Sequence, residues 1–191
     1  MFDDLVLKNR SCRGFDSSYK VSEEEIIQML SCARLTASSM NLQTLKYHIG
    51  TDGREVKDVL GGIKFAGGLT DRNLPYEGQE PTAFILICHD LSLNENADAF
   101  KIDVGIAAQT ILLKATEMGL GGCMMSAFNP EKIKAQLNLD EKLAPVLVIA
   151  LGKPIENIVI KDIEEGESHK YFRDEKNTHY VPKRKLKDII F

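Results

Sequence analysis

The stretch GIAAQTILLKA, residues 105–115, is the centre of the longest helix candidate in the chain. Its apolar residues recur at the spacing of a helix with about 3.6 residues per turn, and they fall on most sides of that helix. This distribution predicts a helix over residues 99–118 that lies in the core of the domain. Gly119 follows directly, and glycine is typical of the residue that ends a helix.

Two short apolar runs, at residues 82–88 and 146–151, predict buried strands because they are continuous and rich in β-branched residues. The other predicted elements are a helix that begins with the capping box Ser22–Glu25 and ends near Leu35, a weak strand at 46–51, a helix at 54–65, a short strand at 121–128 and a helix that begins at Asn129-Pro130. Helices and strands are mixed without regular βαβ alternation. This order favours a layered α+β domain.

The composition excludes several classes of protein. The 191 residues carry a net charge of −4 with 43% hydrophobic residues, which predicts one globular domain over 1–191 without nucleic-acid binding. No apolar run reaches the roughly 18 residues of a membrane span, and no secretory signal begins the chain. The four cysteines form no C-x-x-C pair and the four histidines no ligand spacing, so we expect free thiols, no metal site and a cytoplasmic location.

The segment KNRSCRGF, residues 8–15, is the first candidate binding site. Arg10 and Arg13 offer forked donors and Ser11 offers a hydroxyl, which together suit a phosphate. Arg13 could instead face a carbonyl that gains negative charge. A solvated charge cluster is the alternative interpretation. Cys12 lies between the arginines, and it is either a reactive thiol of lowered pKa or, as we favour, a bystander.

Three further segments carry polar groups without a known catalytic motif. TASSMNLQ, residues 36–43, is either a polar turn or a binding loop. The basic residues 182–185 are either a solvated end or the completion of an anion site. The long loop at 66–81 is either functional or mobile, as loops of this length in compact domains usually are.

These segments occur together, and in this order, in one family. The chain resembles the FMN-dependent nitroreductases, the NAD(P)H nitroreductase and NADH oxidase-like flavoproteins, over nearly its whole length. It departs from their pattern at Asn9, where the family often has a basic residue, at Ala37 in place of a proline, and at Thr44-Leu45 in place of Pro-Trp. The matching motifs are Arg10-Ser11-Cys12-Arg13-Gly14-Phe15, the segment 36–45, Asp103-x-Gly105 followed by Gly119-Leu120-Gly121, Leu151-Gly152-Lys153-Pro154, and Lys183-Arg184.

The resemblance implies a central, mainly antiparallel sheet flanked by helices and a C-terminal arm of about residues 155–191 that packs on a partner subunit. It also implies a homodimer with one FMN per subunit at the interface. By position, the phosphate and ribityl end of FMN would contact Arg10, Ser11, Lys183 and Arg184. Arg13, the expected catalytic residue, would approach the N1/O2 edge of the ring. The partner's flavin would be reached by Ser38, Ser39 and Asn41. The ring near N5 and O4 would be lined, largely by backbone groups, by Met125, Ser126 and Ala127.

The function that this resemblance implies is an oxidoreductase. NAD(P)H would pass hydride to the flavin, and a nitroaromatic or quinone would then take its place as the small-molecule acceptor, which predicts ping-pong kinetics. The loop at 66–81 would then help to shape the substrate mouth, where Asp71, Arg72 and Tyr76 could contact a substrate; a mobile surface loop without contacts is the alternative. The sequence does not choose between NADH and NADPH. Two alternatives stay open: another flavin reaction of the family, such as dehalogenation, azoline oxidation or flavin breakdown, or a flavin store or sensor with little turnover.

Overall fold

A four-stranded antiparallel sheet forms the centre of the molecule. The computed structural model describes residues 1–67, 69 and 72–191. The strands follow the order β1-β2-β4-β3, and each neighbouring pair is antiparallel. The predicted α+β fold with a mainly antiparallel sheet is therefore confirmed. Its strands are β1 (Leu45–Gly50), β2 (Ala83–Asp90), β3 (Gly121–Met125) and β4 (Leu143–Gly152).

Helices cover both faces of this sheet. On one face, α2 (Glu23–Ala33) and α4 (Lys101–Glu117) pack against the apolar side chains of β2 and β4. On the other face, α3 (Gly53–Leu60) and α5 (Pro130–Gln136) pack against the alternate side chains of the same strands. Every residue of β2 is buried, which explains why its sequence is a continuous apolar run rather than an alternating one.

The helix ends show which local signals were reliable. Ser22 and Glu25 form the predicted capping box, and Asn129 accepts a hydrogen bond from the backbone N–H of Lys132. Gly119 has a positive φ of 76°, as a residue after a helix requires. The predicted helix at 54–65 is too long, because α3 ends at Leu60 and the later apolar residues are buried in turns.

Helix α4 differs from its prediction in burial. Seven of its residues are buried, but they lie on one side of the helix. Ile102 is 74% exposed and Ile106 is 37% exposed on the other side. The prediction that this helix lies in the core therefore holds for one side of it in a single subunit.

The C-terminal segment forms a second sheet that the sequence did not predict. It contains β5 (Ile158–Ile163), β6 (Phe172–Arg173) and β7 (His179–Arg184), in the order β5-β7-β6, with β5 and β7 parallel. A short helix, α1 (Phe2–Lys8), was also missed. Within the described ranges, no helix is both long enough and apolar enough to cross a bilayer.

One close contact joins the N-terminal segment to the end of β4. Phe15 is fully buried, and its ring lies where a side chain at Gly152 would be, because a Cβ built there would meet the ring at 2.7 Å. The backbone of Phe15 also bridges Pro154. Gly152 is thus the residue that lets segment 10–15 pack on the end of β4, beside the start of the C-terminal sheet.

Candidate functional site

A pocket of about 360 Å³ lies between the N-terminal segment, α4 and β7. Four of the residues predicted to bind a ligand line it: Arg10, Ser11, Arg13 and Lys183. The sequence separates these groups by about 170 positions, and the C-terminal sheet brings them together. The other lining residues are Val6, Asn9, Gln109, Leu112, Met124, Tyr171, His179 and Val181.

Alternate side chains of strand β7 form one wall of this pocket. Successive side chains of a strand point to opposite faces, so residues two apart share a face. His179, Val181 and Lys183 all line the pocket, and they are spaced in this way. Arg184 lies on the other face of β7, is exposed, and does not line the pocket.

The two arginines keep part of their hydrogen-bonding capacity unused. Arg10 donates from Nη2 to the carbonyl of Val6 at 2.6 Å, and Arg13 donates from Nη1 to the carbonyl of Ser11 at 3.3 Å. The Nε atom of each arginine is covered, yet it has no hydrogen-bond partner among the residues that the structure describes. Burial lowers the pKa of Arg10 from its ordinary value. Unused, partly desolvated donors are well suited to an anionic ligand.

A buried ion pair fixes the position of Arg13. Its backbone N–H donates to Oε2 of Glu156 at 2.7 Å. The other oxygen of Glu156 accepts from Arg173, and the two side chains are only 4% and 1% exposed. Arg173 also donates to Asn177 at 3.2 Å. Sequence reasoning missed this pair, because Glu156 is 143 positions from Arg13 and lies in a segment without a recognised motif.

Two rings that pack on each other, Tyr171 and His179, line the pocket. The guanidinium carbon of Arg13 lies 5.2 Å from the centre of the Tyr171 ring, within the range of a cation–π contact. Tyr171 also packs on His179, with 5.5 Å between the ring centres. Sequence reasoning did not select either ring, since neither lies in a matched motif.

Asn9, the departure from the family pattern noted in the sequence, has a structural role. Its Nδ2 donates to the carbonyl of Leu112 and to Oγ1 of Thr116, both at 2.9 Å. Its Oδ1 accepts from Gln109 at 3.1 Å. These contacts tie the end of α1 to α4 and occupy both ends of the amide, so Asn9 forms part of the pocket wall.

The segment of Ser38, Ser39 and Asn41 lies outside this pocket. Ser38 Oγ and Ser39 Oγ donate to the two carboxylate oxygens of Asp103, at 2.9 and 2.6 Å, and the backbone N–H of Ser39 adds a third bond at 2.8 Å. Burial raises the pKa of Asp103, but these hydrogen bonds outweigh it and hold the pKa below its ordinary value. Asn41 is exposed, and its backbone has a positive φ of 54°.

The three residues predicted to line the flavin ring lie at the end of β3. The side chain of Met125 is buried in the core cluster beneath α3 and α5, on the face away from the pocket. The side chain of Met124, its neighbour, lines the pocket, which leaves the backbone of Met125 for the contact that the resemblance implies. Ser126 and Ala127 follow the strand and are exposed. The register of β3 on β4 determines which of the two methionine side chains faces the pocket. This register could not be predicted from the sequence alone.

Cys12 is not activated by its neighbouring arginines. It is 1% exposed, and burial together with the charge of Glu156 raises its pKa to about 12. The interpretation as a reactive thiol of lowered pKa is therefore wrong. Its Sγ instead donates to the carbonyl of Gly14 at 3.1 Å, within the turn that carries the two arginines.

The long loop contacts the C-terminal segment of its own chain. Arg72 donates to the hydroxyl of Tyr76 at 3.1 Å, and Tyr76 donates to Oδ1 of Asn177 at 3.3 Å. Asn177 is also the partner of Arg173, so the loop is joined to the ion pair behind Arg13. Asp71, the third residue proposed for a substrate contact, lies outside the described residues.

A family comparison agrees with this arrangement. The model of the nitroreductase family matches residues 6–67 and 77–153, which include the segment of Arg10 and Arg13, helix α4 and strand β4. The chain belongs to the nitroreductase family. The family predicted from the sequence is therefore confirmed, and so is the class of enzyme, an oxidoreductase.

Individual members of the nitroreductase family are distant from this chain. The FMN reductase (NADPH) of Bacillus subtilis is 28% identical over 171 residues, which cover 79% of this chain and 65% of that protein. The NADPH-flavin oxidoreductase of Vibrio harveyi is 26% identical over 172 residues, which cover 83% of this chain and 68% of that protein. The solved structure of an FMN-dependent nitroreductase from Clostridium difficile R20291 has the same fold, with a TM-score of 0.65 at 24% identity over 80% of this chain and 87% of that one.

Proposed function

We propose that this protein is an FMN-dependent enzyme that passes hydride from NAD(P)H through the flavin to a small-molecule acceptor, a nitroaromatic or a quinone. The observation that carries the proposal is the convergence of unused polar groups on one pocket, namely the Nε atoms of Arg10 and Arg13 and the imidazole of His179. Its similarity to proteins named FMN reductase and NADPH-flavin oxidoreductase supports the same chemistry.

The donor set fits the phosphate end of FMN. Arg10, Ser11 and Lys183 face one cavity, and forked guanidinium donors with an ammonium suit a phosphate dianion. Lys183 makes no ion pair in the part of the chain that the structure describes, so its charge is not neutralised there. Arg184 would add positive charge from the other face of β7 rather than a direct contact.

The other end of the pocket fits the isoalloxazine ring. FMN supplies the redox chemistry when it is bound, as acceptor and then donor of a hydride. Arg13 would hold a positive charge beside the N1/O2 edge, where reduction adds negative charge. Glu156 fixes the backbone of Arg13, and Leu112 with Met124 forms an apolar wall that excludes water from the ring. The proposal requires no side-chain acid.

Exposed apolar side chains support a homodimer. Ile102 and Ile106 on α4, with Phe2 and Leu7 on α1, are between 37% and 74% exposed. Apolar surface of this kind on a helix that packs its other side in the core is typical of an interface. In the proposed dimer, Asn41 reaches the partner's flavin, and so do Ser38 and Ser39, which can only accept hydrogen bonds there because their hydroxyl hydrogens are donated to Asp103. Residues 155–191 pack on the partner. A mass in solution of twice the 21.3 kDa chain is the expected result.

One pocket that serves both substrates in turn would give ping-pong kinetics. The same assays would decide between NADH and NADPH and between a nitroaromatic and a quinone. The cytoplasmic location stays a prediction from the sequence.

The visible absorption spectrum of the purified protein tests the proposal. We expect a bound flavin that loses its absorption when NADH or NADPH is added without oxygen and regains it when a nitroaromatic or quinone follows. A protein that binds FMN but is reduced by neither nucleotide would contradict the enzymatic role and favour a flavin store. A colourless protein that does not take up FMN would overturn the proposal altogether.

A further inference from the structure

His179 brings unused polar groups to the pocket, and the proposed function assigns them no ligand atom. The residue is 1% exposed, and both ring nitrogens are covered. Neither nitrogen has a hydrogen-bond partner in the described ranges. Buried polar groups in folded proteins are nearly always hydrogen-bonded, and an unsatisfied one lowers stability. A buried imidazole without partners beside a cavity therefore indicates a ligand that supplies them.

The other buried or half-buried histidines behave differently. His48 pairs with Glu55 at 2.8 Å, and Nε2 of His89 lies 2.6 Å from the carbonyl oxygen of Asn94. Each of these two rings has at least one partner from its own chain. His179 has none among the described residues, so burial alone does not account for it.

The surroundings of His179 keep its ring neutral. Burial, followed by the charges of Arg173 and Arg13, lowers its pKa to about 4. A neutral imidazole has one nitrogen that donates and one that accepts. The charged groups in the same pocket, Arg10, Arg13 and Lys183, are donors only. His179 therefore adds a hydrogen-bond acceptor to a pocket that is otherwise rich in donors.

We propose that His179 binds the flavin by accepting a hydrogen bond from one of its donor groups, either the N3–H of the ring or a ribityl hydroxyl. This inference rests on the proposed function, since it takes the pocket as the flavin site. His179 is a binding residue in this account, and it takes no part in hydride transfer.

The position of His179 along β7 agrees with this role. His179 and Lys183 lie on one face of the strand and are four residues apart, which corresponds to about 13 Å between their Cα atoms at about 3.3 Å per residue. A ligand with its phosphate beside Lys183 would extend along β7 toward His179 and Arg13. Its uncharged donor groups would then lie at the His179 end.

Tyr171 is the group that would have to move. Its ring packs on His179 and beneath Arg13, in the segment between β5 and β6. We expect the flavin to displace this ring and to take over its contacts with His179 and Arg13.

The test compares His179→Phe with the wild type by two measurements, the Kd for flavins and the melting temperature of the flavin-free protein. Phenylalanine keeps a ring to pack on Tyr171 but has no acceptor. We expect flavin to bind roughly 2- to 13-fold more weakly, as the loss of one hydrogen bond predicts. The flavin-free variant should melt at the same temperature or higher, because it no longer buries an unsatisfied imidazole. His48→Phe, which removes a histidine outside the pocket, is the control and should keep the wild-type Kd.

Three flavins identify the donor. Weaker binding of FMN, riboflavin and lumiflavin alike would assign the N3–H, which all three have. Weaker binding of FMN and riboflavin but not lumiflavin would assign a ribityl hydroxyl. His179→Asn retains an acceptor and should bind more tightly than His179→Phe.

Two results would overturn the inference about His179. The first is a folded His179→Phe variant that binds all three flavins with the wild-type Kd. The second is a marked fall in its melting temperature without selective loss of binding, which would show a structural histidine. If the wild type itself binds no flavin, the proposed function fails instead, so the two failures are distinguishable.

Discussion

Ser38 and Ser39 form a polar cluster that differs sharply from the cluster of Arg10 and Arg13. The two serines give both hydroxyls and one backbone N–H to the carboxylate of Asp103, so their donors are satisfied within the chain. The two arginines leave covered Nε atoms without a partner among the described residues.

This difference separates polar groups that stabilise the fold from polar groups that await a ligand. Removing a satisfied donor or acceptor costs stability, because its buried partner is left unpaired. Removing an unpaired donor costs little stability but lowers the affinity for whatever pairs with it. The serine cluster should thus respond in unfolding experiments and the arginine cluster in binding experiments.

The largest expected effect is on the ion pair behind Arg13, which supports a binding residue and yet has its own hydrogen bonds satisfied. Glu156 supports Arg13 yet is fully paired with Arg173. Glu156→Ala should lower the free energy of unfolding by about 3–5 kcal/mol, since it leaves Arg173 charged and buried without its partner. Urea denaturation measures this loss. Glu164→Ala removes an exposed partner of Lys185 and should cost under about 1 kcal/mol; equal losses in the two variants would show that burial does not matter here.

The serine cluster is tested next through its acceptor. Asp103→Asn should lower the free energy of unfolding by about 1.5–3 kcal/mol, because hydrogen bonds to a charged, buried carboxylate are replaced by weaker ones. Asp98→Asn, which removes an exposed charge near the start of α4, is the matched control. A loss at Asp98 as large as that at Asp103 would argue against the special role of the serine cluster.

The arginine cluster is tested through the flavin potential. Arg13→Ala should make the midpoint potential of bound FMN more negative by roughly 30–60 mV, because a positive charge beside the reduced ring is lost and 30 mV is about 1.4 kcal/mol for two electrons. Spectroscopic titration against a reference dye measures the potential. Arg54→Ala, at the exposed start of α3, should not change it. An unchanged potential in Arg13→Ala would rule out charge stabilisation by this residue.

The smallest effect concerns pH. The pKa of Asp103 is depressed in the folded protein, so its carboxylate stabilises the fold above its unfolded pKa of about 3.9 and loses this contribution as the pH falls through its folded pKa. The difference in unfolding free energy between wild type and Asp103→Asn should be constant near neutral pH and shrink below about pH 4. A difference that grows under acid conditions would have the wrong sign for this assignment.

The sequence predicted those elements whose signals are local. The capping box at Ser22, the N-cap at Asn129 and the glycine at 119 each lie beside the helix that they delimit, and all three are confirmed. The buried strands β2 and β4 were visible because strands covered on both faces are apolar throughout.

The features that sequence reasoning missed depend on distant partners. Strands β5 and β7 pair in parallel although a charged segment separates them in the sequence, and no local pattern predicts that pairing. The choice between Met124 and Met125 for the pocket follows from the register of β3, where a shift of one residue exchanges the faces. His179 and Glu156 gain their roles only when the C-terminal sheet meets Arg13.

The phosphate end of the proposed flavin site is formed by Arg10, Ser11 and Lys183. The decisive measurement is the Kd of FMN and of riboflavin, which lacks the phosphate, for the wild type and for Arg10→Ala. Lys8→Ala, on the exposed side of α1, is the control for a general loss of charge. We expect Arg10→Ala to weaken FMN binding roughly 10- to 150-fold, as for a hydrogen bond between charged groups, and to leave riboflavin binding unchanged. Equal affinities of wild type and Arg10→Ala for FMN would contradict the central claim that the unpaired donor of Arg10 binds the flavin phosphate.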